Sequence, residues 1–246
     1  MTCLDPKSLR SLDFRVAELN RSHEHLGATE ILQVALRDTG PVALVSSFGA
    51  ESVVLLHMLS VEDRTRPVLF IDTEMLFPET LAYQQEVSGR LGLQDIRVIR
   101  STETPAADPD GTLHLRDPDA CCALRKKRPL ETALNGFDAW ITGRKRYQSG
   151  ARAELDYFEP EAGTGRIKIN PLAHWGPEDV RTYMAENDLQ PHPLVAQGYP
   201  SIGCLPCTSP VALGEDIRAG RWRNQQKDEC GIHFADGQIV PSGARQ

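Results

Sequence analysis

The chain begins with apolar residues spaced three and four apart. Leu9, Leu12, Val16 and Leu19 recur at helical spacing, and Ile31, Leu32, Ala35 and Leu36 repeat the pattern, so the first forty residues are predicted to be helical. The pattern then changes to short, continuously apolar runs. Pro41 to Val45 leads into Ser46-Ser47-Phe48-Gly49-Ala50, and Pro67 to Ile71 leads into Asp72-Thr73. Ile96 to Ile99 follows a helix-like stretch from Pro78 to Leu91, and Ala139 to Thr142 ends in Gly143. Residues 101 to 119, rich in Asp, Pro and Thr, read as a loop, and residues 166 to 172 as a further strand. Pro177 with two acids behind it marks a helix start. Apolar strands alternating with longer helical stretches predict an α/β fold, a parallel sheet covered by helices on both faces. From about residue 188 the chain is irregular, rich in Pro and Gly. The expected organisation is one α/β domain over 1–212 and an irregular, mobile C-terminal segment over 213–246, with no internal repeat.

Parallel sheets bind ligands beyond the C-terminal ends of their strands. That rule places Ser46 to Gly49, Asp72-Thr73 and Gly143 to Arg146 on one rim. The first of these segments lies between a strand and a helix start, where small residues let backbone N–H groups approach an anion. It lacks the Gly-Lys-Ser/Thr ending of a Walker A loop; an anion site and a plain structural turn both remain open for it.

The 246 residues carry a net charge of −7, which argues against a nucleic-acid-binding surface. The cations are nevertheless bunched, at Arg125 to Arg128, at Arg144 to Arg146 with Arg152, and at Arg218, Arg221 and Arg223. No apolar run approaches the roughly 18 residues of a membrane span. Residues Met1 to Pro6 lack the pattern of a secretory signal, so the expected location is the cytoplasm. A homo-oligomer is compatible with this chain.

In that compartment six cysteines point to metal or catalysis rather than disulfides. Cys204 and Cys207 have the spacing of two ligands to one metal or cluster. The adjacent Cys121 and Cys122 fall at the start of a predicted helix, where neighbours diverge by about 100°. Diverging thiolates suit separate irons of a cubane, and with Cys204 and Cys207 they complete the four ligands of a [4Fe-4S] cluster. Structural zinc, a redox pair and buried small side chains remain open on these residues alone. Lys126, four residues past Cys122, shares its helical face. Cys230 stands apart, beside Gly231 and near the titratable His233, while Asp228 and Glu229 disfavour its thiolate. Cys3 has no such context.

Together these segments resemble the assimilatory adenylylsulfate and phosphoadenylylsulfate reductases. The resemblance rests on the Cys121-Cys122 pair with the Arg-Lys step behind it, Cys204-x-x-Cys207, and Glu229-Cys230-Gly231-Ile232-His233. The basic segment from Arg144 to Arg152 and the arginine-rich segment from Gly214 to Trp222 add to it. The similarity runs from about residue 40 to 234. It implies an adenine nucleotide alpha hydrolase-like fold of the PP-loop type. Because all four cluster cysteines are kept, it implies adenosine 5′-phosphosulfate (APS) as substrate rather than its 3′-phosphorylated relative (PAPS), with a PAPS or dual APS/PAPS reductase as the alternative.

The resemblance further implies that the nucleotide lies against Ser46, Ser47, Phe48, Gly49, Asp72 and Thr73. Lys126, Arg144, Arg152, Arg218 and Arg221 would meet its anionic groups. Cys230, with His233 beside it, would take up the sulfonate as an S-sulfocysteine, and thioredoxin would release sulfite. The cluster would support the site rather than carry electrons. A tRNA thiolase of the same superfamily is the competing enzyme reading, but its Ser-Gly-Gly-x-Asp-Ser loop is missing here. A zinc-stabilised binding module is the competing non-enzyme reading.

Overall fold

A computed structural model describes residues 6–223. Alternation within the strands decides which face each side chain takes. In β1 (Val42–Ser46), Val42 and Leu44 join the main core while Ala43 faces a smaller cluster on the other side. In β2 (Val68–Ile71), Val68 and Phe70 face the main core and Leu69 the smaller one. With β3 (Ile96–Ile99), β4 (Ala139–Ile141), β5 (Phe158–Pro160) and β6 (Ile167–Ile169) they form one sheet in the order β3-β2-β1-β4-β6-β5. All pairings are parallel except β5 against β6, where Phe158 lies opposite Ile169.

Helices cover both faces. The main core is closed by α1 (Pro6–His23), α2 (Ala28–Asp38), α3 (Ser52–Glu62), α4 (Pro78–Leu91) and, further along the chain, by the helix Pro177–Glu186. α3 is apolar on nearly every side, with Val53 to Leu56, Met58 and Leu59 all buried, as expected of a helix enclosed by its neighbours. α4 has Pro78 in its first turn and ends at Gly92 with φ 64°, so the predicted helix holds to the residue.

The stretch read as a loop contains α5 (Thr104–Ala107) and α6 (Leu113–Arg116) and leads into α7 (Pro118–Cys122). Its Asp and Pro residues act as helix punctuation. The Asp117 carboxylate accepts from the N–H groups of Asp119 and Ala120, and Pro118 opens α7. The cysteine pair therefore sits at the end of α7 rather than at a helix start. A π-helical turn, Ala123–Lys127, then joins α7 to α8 (Arg128–Ala133), whose Leu130 packs on the second face of the sheet. Pro129 cannot donate to the Arg125 carbonyl and its ring crowds it; the widened turn just upstream accommodates both. α9 (Pro177–Glu186) is the last α-helix among the described residues. β5 escapes the sequence pattern because it is three residues long and ends in Pro160, as an edge strand can.

The expected boundary at 212/213 falls inside a doubled-back segment. Ser209 N–H donates to Gly220 O (2.9 Å) and Trp222 N–H to Cys207 O (3.0 Å). A Cβ on Gly220 would stand 2.0 Å from Ser209 O, so only glycine fits the crossing.

Candidate active site

The strand order reverses between β1 and β4, so the loops that leave their C-terminal ends diverge and open a cleft. A cavity of about 240 Å³ occupies it. On the β1 side, Phe48 adopts a left-handed backbone (φ 47°) that sends its ring into the core, edge-on to Phe70 at 5.2 Å. This anchor leaves Ser46, Ser47 and Gly49 lining the cavity, with Gly49 N–H donating to Ser52 Oγ (2.9 Å) at the head of α3. Phe48 is thus a core anchor of the loop, not a wall of the cavity.

After β2, the Asp72 carboxylate accepts from Glu74 N–H (2.9 Å) and pairs with Arg100 (2.8 Å). It fixes a turn, and Thr73, not Asp72, lines the cavity. The Thr73 hydroxyl lies 3.2 Å from Cys204 Sγ, and the Thr73 carbonyl accepts from Arg125 Nη1 (2.8 Å). Arg125 is buried and also donates to Asp108 (2.9 Å). Burial favours the neutral Asp108 carboxyl, but Arg125 and the Leu113 N–H hold it below the ordinary carboxylate range.

The four expected cluster cysteines come from two places in the chain and meet beside this turn. Cys121, Cys122 and Cys204 are buried, Cys207 partly so, and all four are thiols rather than disulfides. Cys122 and Cys207 pack against Trp222. Burial pushes the Cys121 thiol up, Cys204 and Cys207 add to the shift, and Arg125 opposes it. Among the described residues no three His, Cys, Asp or Glu side chains converge as ligands of a single ion.

Lys126 lines the cavity one residue beyond the inward-facing Arg125. Both residues lie in the π turn Ala123–Lys127. From the last described segment, Arg218 and Arg221 reach the same cavity. Arg221 lies over Trp222 (4.5 Å) and donates to Ile202 O (3.1 Å).

After β4, Arg144 is buried, with its guanidinium on Asn170 Oδ1 (3.0 Å) and on Glu159. Lys145 is 2% exposed and lines the cavity; its Nζ donates to Glu51 (2.8 Å) and Gly143 O (3.2 Å). Burial pulls the Lys145 ammonium down, and Glu51 works against that shift. Burial in turn pushes the Glu51 carboxyl up, but Lys145, Tyr147 and Gln148 hold it below the ordinary range. Arg152 lines the cavity and donates to Gln148. Glu51, Lys145 and Arg125 escaped the sequence reading: the two cations stood inside basic bunches that look like solvated surface, and only the fold turns them inward. Cys230, His233 and Cys3 lie outside the described residues.

The site is therefore a cationic cleft at the topological switch point of the sheet, with four thiols at one end. Residues 41–210 match the phosphoadenosine phosphosulfate reductase domain. The chain belongs to that family. Among its relatives, the adenosine 5′-phosphosulfate reductase of Chelativorans sp. is 47% identical over 97% of this chain and 98% of its own. The phosphoadenosine 5′-phosphosulfate reductase of Gloeobacter violaceus is 42% identical over 95% of this chain and all of its own. The solved phosphoadenylyl-sulfate reductase of Candida auris superposes with a TM-score of 0.70 at 27% identity, over 85% of this chain and 99% of that one. An FMN adenylyltransferase of Candida glabrata shares the fold (TM-score 0.56, 17% identity, 96% and 84% covered). The reductase family's fold is thus the adenine nucleotide alpha hydrolase-like class that the resemblance implied.

Proposed function

We propose that this chain reduces adenosine 5′-phosphosulfate to sulfite and AMP in sulfate assimilation. The observation that carries the reading is the cavity itself. Lys126, Arg144, Lys145, Arg152, Arg218 and Arg221 all line it, and Glu51 is the acid among the described lining residues. Several cations in a partly dry cleft suit a doubly anionic phosphosulfate, and Ser46, Ser47 and Gly49 suit the nucleotide on the rim. Relatives named for APS, at 47% and 48% identity, support the substrate.

The Cys230 thiolate attacks the sulfur, the S–O bond to AMP breaks, and AMP leaves with the electron pair. The product is a Cys230 S-sulfocysteine. A thioredoxin thiolate then attacks the Cys230 sulfur and sulfite departs. The second thioredoxin thiol resolves the mixed disulfide, so the two electrons come from the dithiol. His233, three residues further along the sequence, is the titratable group that would assist this step. Such an exchange needs a reducing compartment, which supports a cytoplasmic site of action; no helix among the described residues is long and apolar enough to cross a membrane.

The donor set fits a [4Fe-4S] cluster. Cys121, Cys122, Cys204 and Cys207 would hold it, with the Thr73 hydroxyl and the buried Arg125 guanidinium beside them. When bound it supplies charge and rigidity to the site. Arg125 offsets thiolate charge at Cys121, and Lys126 faces the substrate side.

The test is sulfite release from APS and PAPS in parallel, with thioredoxin as donor. APS is expected to be the better substrate; turnover of PAPS alone would support the activity named for the Gloeobacter relative instead. Cys230→Ser should abolish sulfite while leaving iron content unchanged, and a variant that still turns over would overturn the sulfocysteine route.

A further inference from the structure

The two loops that flank the cleft are tied together by one carboxylate. Glu51, on the loop after β1, accepts from Lys145 Nζ (2.8 Å), Tyr147 OH (2.6 Å) and Gln148 Nε2 (3.1 Å), all on the loop after β4. The chain of contacts continues. Gln148 Oε1 accepts from Lys145 N–H (3.2 Å) and from the Arg152 guanidinium. Four of these five residues line the cavity; Tyr147 backs it from the neighbouring groove.

The charges explain why this arrangement exists. A buried ammonium without a partner is costly, and Glu51 compensates Lys145 where water cannot. Glu51 has three donors, so its own charge is largely satisfied before any ligand arrives. The cavity face of the wall is left to Lys145 and Arg152. An acid in an anion site is thereby turned into a support for the cations around it.

We propose that Glu51 is a positioning residue for the substrate: its carboxylate holds Lys145 directly, and Arg152 through Gln148, so that the nucleotide loop and the basic loop grip the anionic nucleotide as one unit. This rests on the reading of the cavity as a sulfonucleotide site. Glu51 itself does not touch the reacting atoms.

The experiment measures KM and kcat for APS, and calorimetric binding of AMP, in cluster-loaded enzyme carrying Glu51→Gln, Gln148→Met, Arg152→Met and the pair Gln148→Met with Arg152→Met. Glu51→Gln and Gln148→Met are each expected to weaken KM and AMP binding about tenfold, the size of one charge-assisted hydrogen bond, with the loss falling on KM more than on kcat. The pair should lose much less than the product of its single effects, because both act through one contact. Gln148→Met keeps the buried Lys145–Glu51 pair and so decides the matter if Glu51→Gln fails to fold. Unchanged KM in Gln148→Met, or effects that multiply in full, would overturn the proposal. Wild-type enzyme that releases no sulfite from either nucleotide would sink the catalytic reading alone, since AMP binding across the same variants still reads the positioning role.

Discussion

At Gly203 a missing side chain makes room for a cation. A Cβ there would stand 2.4 Å from Arg221 Nη2 and 2.5 Å from its Cζ, so the guanidinium lies where any other residue would put its first carbon. The clash is with the far end of a flexible chain, and the Gly203 backbone is not left-handed, so alanine is expected to fold normally and displace Arg221. Gly203→Ala should therefore raise KM for APS about tenfold with iron content and thermal midpoint near those of the wild type. Steady-state kinetics beside an iron assay checks this, and an unaltered KM would remove Arg221 from the substrate wall. Phe48 shows the same logic reversed. A left-handed backbone at a bulky residue is strained, and it persists because the ring is fully buried against Phe70. A sequence reading could see both residues in the right segments but not that one gives space and the other takes it.

Among the elements, the 3₁₀ turn Pro193–Gln197 is fastened to α4 by one histidine. His192 Nδ1 accepts from Leu194 N–H (3.1 Å), which places the ring proton on Nε2, facing Thr80 Oγ1 (3.1 Å). The ring is fully buried beside Tyr83 (4.8 Å), and burial lowers its pKa from the usual 6.5 to about 4, against a small opposing effect of Glu79. Between these values the unfolded chain binds a proton that the folded one refuses. The contribution of His192 is thus fully present above pH 6.5 and falls away down to about pH 4. The loss at pH 4 is about 3 kcal/mol. Urea unfolding at pH 7 and pH 4 should show it, and His192→Asn should shrink the difference between the two by a similar amount; an equal difference in both proteins would rule it out. The elements themselves were largely legible. Short apolar runs marked β1 to β4, residues 166 to 172 held β6, and Pro78 with Gly92 bracketed α4. The π turn before Pro129 was not, because no local pattern of apolar residues marks it.

On the scale of the whole molecule, a chain of net charge −7 keeps a cationic cleft at its topological switch point. The rule that ligands sit beyond strand C-termini was enough to bring the right loops to one rim. Strand order, and with it the pairing of the β1 loop with the β4 loop through Glu51, depends on long-range register that no local pattern encodes. That Cys121 and Cys122 lie near Cys204 and Cys207 depends on the same long-range packing, and the spacing alone left zinc, a redox pair and buried small side chains open.

One contact also gives the molecule an optical signature. Of the three tryptophans, Trp222 is buried directly against Cys122 and Cys207. With the proposed cluster held on these cysteines, the indole would lose its excited-state energy to the metal centre instead of emitting light. Removal of iron by a chelator should therefore brighten the tryptophan emission, and Trp222→Phe should abolish most of that rise. Brightening that survives in Trp222→Phe would mean that the cluster lies elsewhere. With the expected result, the same fluorescence trace reports, in real time and without added dye, how much of a preparation carries its cofactor.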